Sequence, residues 1–489
     1  MTVNRLESRY PTWIQLFARH LGTGRTAILL DGRRYDFDDL AKLATAASRW
    51  LDEAGAPPGA AVPALLTTTA DALALAIAGT GSDRPLAPFN PRLTLRELRA
   101  CVGPLDSPVI VAEPSSTEVA SALATELHRR VAVLDGLAPA PSIDLDFDRP
   151  GDATAVVLHT SGTTGIPKRV DIPQHKLMLR AVRQGTVMGL GPGTTFAVAS
   201  SFHHIAGLGT LFIAMGMGSA VIPCPPFTPD VWRSLAAYEP THAVLIPAMV
   251  ERLLDEGALH LPSLRVIVYG SSPMRPDTIR RALEALPGVD IYNMYGQTEG
   301  SPLTFLSGDD HRRAVAENRP DLLLSVGRPF AGVELRIDRP DDTGAGELVA
   351  RAEHMFRVNH DGCLHTGDLA RIDDEGYVYL VGRKGDLIIR GGENVYPAEV
   401  EGVLNEHPGV REAAVVGVPD DRLGQTVHAV VIASDSANPP SFDELRTFAR
   451  ERLAGFKVPA SWMLAHELPR NTMGKLLRNQ LPLSSSEAR

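Results

Sequence analysis

The sequence predicts an α/β protein with a large layered N-terminal domain and a small C-terminal α+β domain, and three observations predict it. Between residues 110 and 300, short apolar runs alternate with amphipathic stretches, as strands and helices do when they stack in layers. A chain of 489 residues is too long for one ordinary core, so two or more units are expected. Near the C-terminus, strand-like runs (AAVVGVPDD, TVHAVVIAS) mix with helical ones (YPAEVEGVL, SFDELRTFARERLAGF) in a compact block.

The chain opens on a hairpin and helix in AILLDGRRYDFDDLAKLATAASRWLDEAG. Leu40, Leu43, Ala44, Ala47, Trp50 and Leu51 recur at helical spacing and Gly55 ends the run, which reads as scaffold. The strand candidates follow: AVVLH (155–159), FAVASS (196–201), AVLIP (243–247), RVIVYGSS (265–272) and DIYNMYG (290–296). Chemistry in such sheets gathers where loops leave the strands' carboxyl ends, and the candidate motifs lie there. The window Ile205 to Pro229 carries no charge. It holds Gly207, Gly209, Gly216 and Gly218 and breaks at Pro223, so it reads as a buried helix and a buried strand rather than a membrane span. In the terminal block, Ser441 and Glu444 have the spacing of a capping box.

Composition excludes several classes. The formal net charge of −10 leaves no basic surplus to displace phosphate counterions, which argues against a nucleic-acid binder. Three widely spaced cysteines, Cys101, Cys224 and Cys363, exclude a disulfide framework and suit a reducing compartment, hence the cytoplasm. The first residues, MTVNRLESRYPTW, lack the apolar core of a signal peptide. No G-x-S-x-G occurs, which removes the common serine hydrolases.

Chemistry centres on AVVLHTSGTTGIPKRV, residues 155–170. A strand feeds a loop in which Thr160, Ser161, Thr163 and Thr164 alternate with Gly162 and Gly165, followed by Lys168. Glycines let backbone N–H groups approach phosphate oxygens, hydroxyls add donors and the lysine offsets charge. The ATPase loop G-x-x-x-x-G-K-[ST] does not fit, because Lys168 follows a proline and no Ser or Thr comes after it.

T-S-G-T-T-G-x-P-K is similar to the signature of adenylate-forming enzymes, the superfamily of acyl-CoA synthetases, peptide-synthetase adenylation domains and luciferases, and the resemblance covers nearly the whole chain. It implies an N-terminal AMP-binding domain over residues 1–384 and a C-terminal lid domain over residues 385–489. VYGSSPM resembles the family's adenine turn, with Gly270, Ser271 and Ser272 against a flat base. NMYGQTEG resembles its Y-G-x-T-E motif. The resemblance implies that Asn293, Met294, Tyr295, Gly296, Gln297 and Thr298 wrap AMP, and that Thr298 bonds the α-phosphate. Glu299, with Thr164, would hold magnesium. Asp368 in HTGD should accept from both ribose hydroxyls, and Arg383 should reach the sugar or phosphate.

Around SSFHHIAGLG the resemblance implies an acyl pocket at His204, Gly207 and Gly296, with His204 either shaping the pocket or filling core. The acyltransferase pattern H-H-x-x-x-D-G fails at Leu208. Gly391, Gly392, Phe456 and Lys457 stand where acyl-CoA synthetases meet CoA, Gly385 where the lid hinges, with Lys384 and Asp386 as alternatives, and Lys475 where the adenylation lysine lies. The chain departs from the family at Ser201, often proline, at His365, often arginine, and in a short segment from His354 to Asp361.

These positions imply ATP-dependent activation of a carboxylic acid with pyrophosphate release, then transfer to CoA, or to a carrier-protein thiol or other acceptor in trans. Lys475, Thr298 and Glu299 would be catalytic, ATP, Mg2+ and CoA the cofactor and cosubstrates, and the protein a monomer or homodimer. The uncharged window suggests a roomy pocket for a fatty, aromatic or other bulky acid.

Overall fold

The computed structural model describes residues 3–160, 168–224, 227–391, 393–471 and 475–483. The chain divides into two compact units: Met1–Leu324 with Phe330–Val333 and Arg351–Leu364, and Ser325–Pro329 with Glu334–Ala350 and His365–Arg489.

The first unit contains two sheets. One orders its strands Thr304–Leu306, Asp290–Tyr295, Val266–Tyr269, His242–Leu245, Thr195–Val198, Ala220–Pro223, Thr26–Leu30 and Arg33–Asp36. From Asp290–Tyr295 to Thr26–Leu30 every pairing is parallel. The other orders Arg130–Val133, Val109–Ala112, Val62–Leu65, Leu86–Pro88, Thr154–Thr160 and Lys168–Pro173. All five strand candidates are strands, and four of them lie side by side in the first sheet.

Local chemistry explains the opening helix, Phe37–Ala54. Asp36 caps it reciprocally with Asp39, and Gly55 closes it at φ 76°, a left-handed conformation that glycine adopts without a Cβ clash. Leu40, Leu43, Ala44, Ala47 and Leu51 are buried in the main core and Trp50 packs at its edge. The uncharged window forms a short π-turn, Ile205–Gly209, the helix Thr210–Met217 and the strand Ala220–Pro223; the helix and strand are buried along their whole length. Among the described residues no helix is long and apolar enough to cross a membrane.

The second unit begins with the sheet Glu334–Asp338, Gly346–Arg351, Leu364–Ile372 and Val378–Arg383. A second sheet orders Glu393–Val395, Ile388–Arg390, Gly424–Ala433 and Val410–Asp420, with Ser461–Leu464 parallel to Gly424–Ala433. Helices Pro397–Asn405 and Phe442–Arg450 supply Val400, Leu404, Leu445 and Ala449 to its core. The Ser441 hydroxyl accepts from the Glu444 N–H at 3.2 Å. The box is not closed from the other side: the Glu444 carboxylate lies 3.3 Å from His407 Nε2 instead.

Candidate active site

The antiparallel hairpin Thr154–Thr160/Lys168–Pro173 ends with Thr160 and Lys168 opposite one another. Ser161, Gly162, Thr163, Thr164 and Gly165 lie outside the described residues. Thr160 Oγ1 donates to Glu299 Oε1 at 3.5 Å, which joins the mouth of this hairpin to the Y-G-x-T-E segment.

Tyr269 and Asn293 are register partners in the other sheet, so Gly270 leaves its strand beside Met294. A Cβ on Gly270 would stand 2.7 Å from the Met294 carbonyl oxygen, so only glycine permits this approach. Ser271 follows at φ 68°, a strained value for a non-glycine residue. Behind the turn runs a hydrogen-bond chain that fixes its own polarity. His311 Nδ1–H donates to Ser307 O at 2.7 Å, so Nε2 accepts from the Tyr269 hydroxyl at 3.0 Å. Burial holds His311 neutral, its pKa lowered to about 4. Asn293 bonds the same hydroxyl, and since the Tyr269 proton is committed to His311, the amide donates. Asn293 Oδ1 is left buried with no hydrogen-bond partner among the described residues.

The loop after Tyr295 is tightly wound. A Cβ on Gly296 would fall 2.9 Å from Ser301 Cα, and the Gly300 N–H donates to Gln297 O at 3.1 Å. Met294 and Thr298 are buried. The Glu299 carbonyl accepts from Phe356 N at 2.7 Å and Arg357 N at 3.1 Å, so the short segment from His354 to Asp361 braces the carboxylate's backbone.

His204 caps the π-turn: its Nδ1 accepts from Ala206 N at 3.3 Å, which leaves the ring proton on Nε2. Burial first, then the nearby Arg180 cation, lowers its pKa to about 4, so the ring is neutral at ordinary pH. A Cβ on Gly207 would lie 1.9 Å from Ser201 O, so that glycine is explained by backbone approach alone.

In the second unit, Asp368 and Arg383 are register partners, and Arg383 Nε lies 2.8 Å from Asp368 Oδ1. Lys475 joins them: its amine titrates below the usual lysine range, through burial first and then Arg383, with Asp368 acting in the opposite sense. Glu347, buried, accepts from the Gly367 N–H at 3.2 Å and from Lys384 Nζ at 3.0 Å. Arg478 donates to Glu401 Oε2 at 2.9 Å and Val415 O at 2.6 Å, and its Nε lies 3.4 Å from Asp386. Gly385 thus stands between two tethered neighbours, in a turn closed by Asp386 N to Arg383 O at 2.9 Å, with nothing within 4 Å of where its Cβ would be.

The CoA candidates lie in the same unit. Gly391 takes φ 61° and donates to Leu423 O at 2.7 Å, Phe456 packs on the core around Val400 and Leu445, and Lys457 Nζ lies 2.6 Å from Glu399. Gly392 lies outside the described residues.

Sequence reasoning missed Arg180, Tyr269, Glu347 and Arg478. Tyr269, Glu347 and Arg478 depend on partners far along the chain, while Arg180 shares the buried face of the helix Gln174–Val187 with Leu177, Ala181 and Gln184.

Comparison with known proteins makes the chain an ATP-dependent, AMP-forming ligase of the acyl-CoA synthetase kind. The model of the AMP-binding enzyme family matches residues 16–358 and that of the AMP-binding enzyme C-terminal domain residues 399–475; the chain belongs to this family. It is 31% identical over 491 residues to a fatty acid–[acyl-carrier-protein] ligase, ScoC, of Streptomyces coeruleorubidus, covering 93% of this chain and 92% of that one. It resembles the structure of the amide bond synthetase McbA from Marinactinospora thermotolerans, with TM-score 0.85, 28% identity and coverage of 96% and 98%. It is equally similar to O-succinylbenzoate coenzyme A synthetase from Bacillus subtilis in complex with ATP and magnesium ion, with TM-score 0.84, 29% identity and coverage of 96% and 99%.

Proposed function

We propose that the protein joins a carboxylic acid to AMP, releases pyrophosphate, and passes the acyl group to the thiol of CoA. A carboxylate acylates poorly because its leaving group would be oxide, and the adenylate supplies a better one. Two anions have to meet, so the demands on the site are charge and position. In this reading Lys475 neutralises the carboxylate and the α-phosphate, while Thr160, Ser161, Gly162, Thr163, Thr164, Gly165 and Lys168 hold the departing pyrophosphate. Thr298 bonds the α-phosphate, and Glu299 with Thr164 holds magnesium, whose charge is what the metal supplies.

The observation that carries the nucleotide assignment is Asn293 Oδ1, a buried acceptor left without a donor by the polarity of its own hydrogen-bond chain. An unmade buried hydrogen bond costs about 1–3 kcal/mol, and the exocyclic amine of adenine is a donor that would recover it. Gly270, Ser271 and Ser272 then lie against the base, and Tyr295 stacks on it. Asp368, held by Arg383, meets the ribose hydroxyls.

The lid reading uses Gly385 as hinge and residues 385–489 as the mobile domain. Its support is local: Lys384 and Asp386 are each held by an ion pair, whereas Gly385 is free of steric neighbours. Gly391, Gly392, Phe456 and Lys457 are assigned to CoA, for whose phosphates Lys457 would exchange Glu399. The free cysteines fit a cytoplasmic enzyme.

A carrier-protein thiol is the second acceptor, favoured by the likeness to a fatty acid–[acyl-carrier-protein] ligase. Acid-dependent ATP–pyrophosphate exchange tests the first half-reaction. Product analysis with CoA, with a pantetheinylated carrier and with neither tests the second. No exchange with any acid would overturn the reading, and exchange without thioester on CoA would move the acceptor elsewhere.

A further inference from the structure

Arg180, beside the turn Ile205–Gly209, is a buried cation that the proposed reaction does not use. It sits on the helix Gln174–Val187, is 2% exposed, and has two guanidinium nitrogens, Nε and Nη1, buried without a hydrogen-bond partner among the described residues. The neighbouring cations of the same helix are satisfied. Arg183 lies 2.8 Å from Glu7 and 2.7 Å from Glu353, and Lys176 donates to the Glu353 carbonyl. Among the described residues no carboxylate pairs with Arg180. Burial alone lowers its pKa to about 9, with no carboxylate to raise it.

Its position is specific. A Cβ on Gly209 would stand 2.4 Å from Nη1, so glycine there leaves the guanidinium its room against the Ile205–Gly209 turn. His204, at the head of that turn, and His354 both lie within the field of the guanidinium, and burial with that field keeps both rings neutral. Three further polar atoms of this region are buried with no partner among the described residues: Ser200 Oγ, just before the turn, Gln184 Oε1, one helical turn beyond Arg180, and His354 Nδ1. An unpaired buried cation is among the costliest groups a core can hold. Replacing it with an apolar side chain would remove that cost, so its presence asks for an anion that the protein chain does not provide.

We propose that the acid is a dicarboxylic acid, whose second carboxylate, remote from the one that is adenylated, pairs with Arg180. The inference rests on the acid-activating reading and refines its substrate. The turn Ile205–Gly209 beside the guanidinium carries no charge, and the one charge there enters from the helix Gln174–Val187. The acid's spacer carries the reacting carboxylate to the adenylation site, and the distal carboxylate sets which acids are accepted. Fatty and other monocarboxylic acids leave Arg180 buried and unpaired and are poor substrates.

The test is pyrophosphate release by the full-length enzyme with ATP and magnesium, over aliphatic diacids of four to ten carbons and aromatic diacids, each beside its monomethyl ester. The expected result is a preference in kcat/KM of about 100-fold for the best free diacid over its half-ester, the scale of losing one partner of a desolvated charge pair. In Arg180→Met that ratio should collapse to within about 3-fold, with the half-ester rate little changed. Thermal melting gives a second readout: Arg180→Met should melt no lower than the wild type without ligand, and the diacid should raise the melting temperature of the wild type only. Equal or better use of half-esters and monocarboxylic acids by the wild type would overturn the inference while sustaining acid activation. So would an Arg180→Met variant that keeps the preference, or one that unfolds, which would make the arginine structural. Pyrophosphate release with no acid at all would overturn both readings together.

Discussion

Lys475→Ala isolates the first half-reaction. The amine is half-buried near Asp368 and Asp386 on one side of its charge balance and Arg383 and Arg478 on the other. With two carboxylates set against two guanidinium groups, its removal leaves the local charges nearly balanced, and the stability of the second unit should change by less than about 1 kcal/mol. On the proposed role the loss falls on the transition state, in which acid carboxylate and α-phosphate would approach without the lysine's charge. Losing one donor of this kind costs about 2.7–4 kcal/mol, or about 10²–10³-fold in rate. The assay is acid-dependent ATP–pyrophosphate exchange, with unfolding followed in parallel. Presynthesised acyl adenylate isolates the other half: thioester formation from it with CoA should persist in the variant. Exchange within a few-fold of the wild type would refute the assignment, and loss of both half-reactions with normal folding would show that the lysine serves the nucleotide pocket generally.

Gly385 has open space at its Cβ position and no positive φ, so Gly385→Ala should be tolerated in this conformation and stabilise it by about 0.4–1 kcal/mol. Gly385→Pro should leave exchange intact and slow thioester formation, and equal rates for both half-reactions would remove Gly385 as the hinge. Arg478→Ala leaves Glu401 without its guanidinium partner; discounted for the partial exposure of the pair, about 2–3 kcal/mol of second-unit stability should be lost in denaturant titrations, and a loss under 1 kcal/mol would show the anchor to be dispensable. Acid should destabilise the first unit. His20, His159, His203, His204, His311 and His354 are held by burial at about 4, against an ordinary 6.5. Between those values the unfolded chain binds protons that the folded chain refuses, so stability present above pH 6.5 falls as pH drops towards 4, by about 1.4 kcal/mol per pH unit for each histidine. A melting temperature flat from pH 7.5 to 5 would contradict their burial.

What was legible in the sequence shares one property: its meaning is carried by neighbours in the chain. The five strand candidates are apolar runs bounded by turns, and each is a strand. Gly270 and Gly296 sit in short motifs, and each is explained by a contact that a Cβ would block. Asp368 and Arg383 lie 15 residues apart on one hairpin, and the strand register joins them. Glu347 was not legible, because nothing in GELVAR announces that its carboxylate will hold Gly367 and Lys384. The same holds for the Tyr269 and His311 chain, which only the folded sheet assembles.

The helix Gln174–Val187 shows where the boundary falls. In QHKLMLRAVRQGTV the basic residues Lys176, Arg180 and Arg183 look alike, and a count of charges treats them alike. Helical periodicity does not separate them, since Lys176 precedes Arg180 by four and Arg183 follows it by three; the folded unit does, burying Arg180 alone of the three. Burial by itself still does not say whether such a cation is paired. That depends on Glu7 and Glu353, which approach from both ends of the first unit and reach Arg183 instead. An arginine buried with no ion pair among the described residues is a statement about a missing anion, and substrate specificity in an enzyme of this family is where such an anion has a chemical reason to arrive.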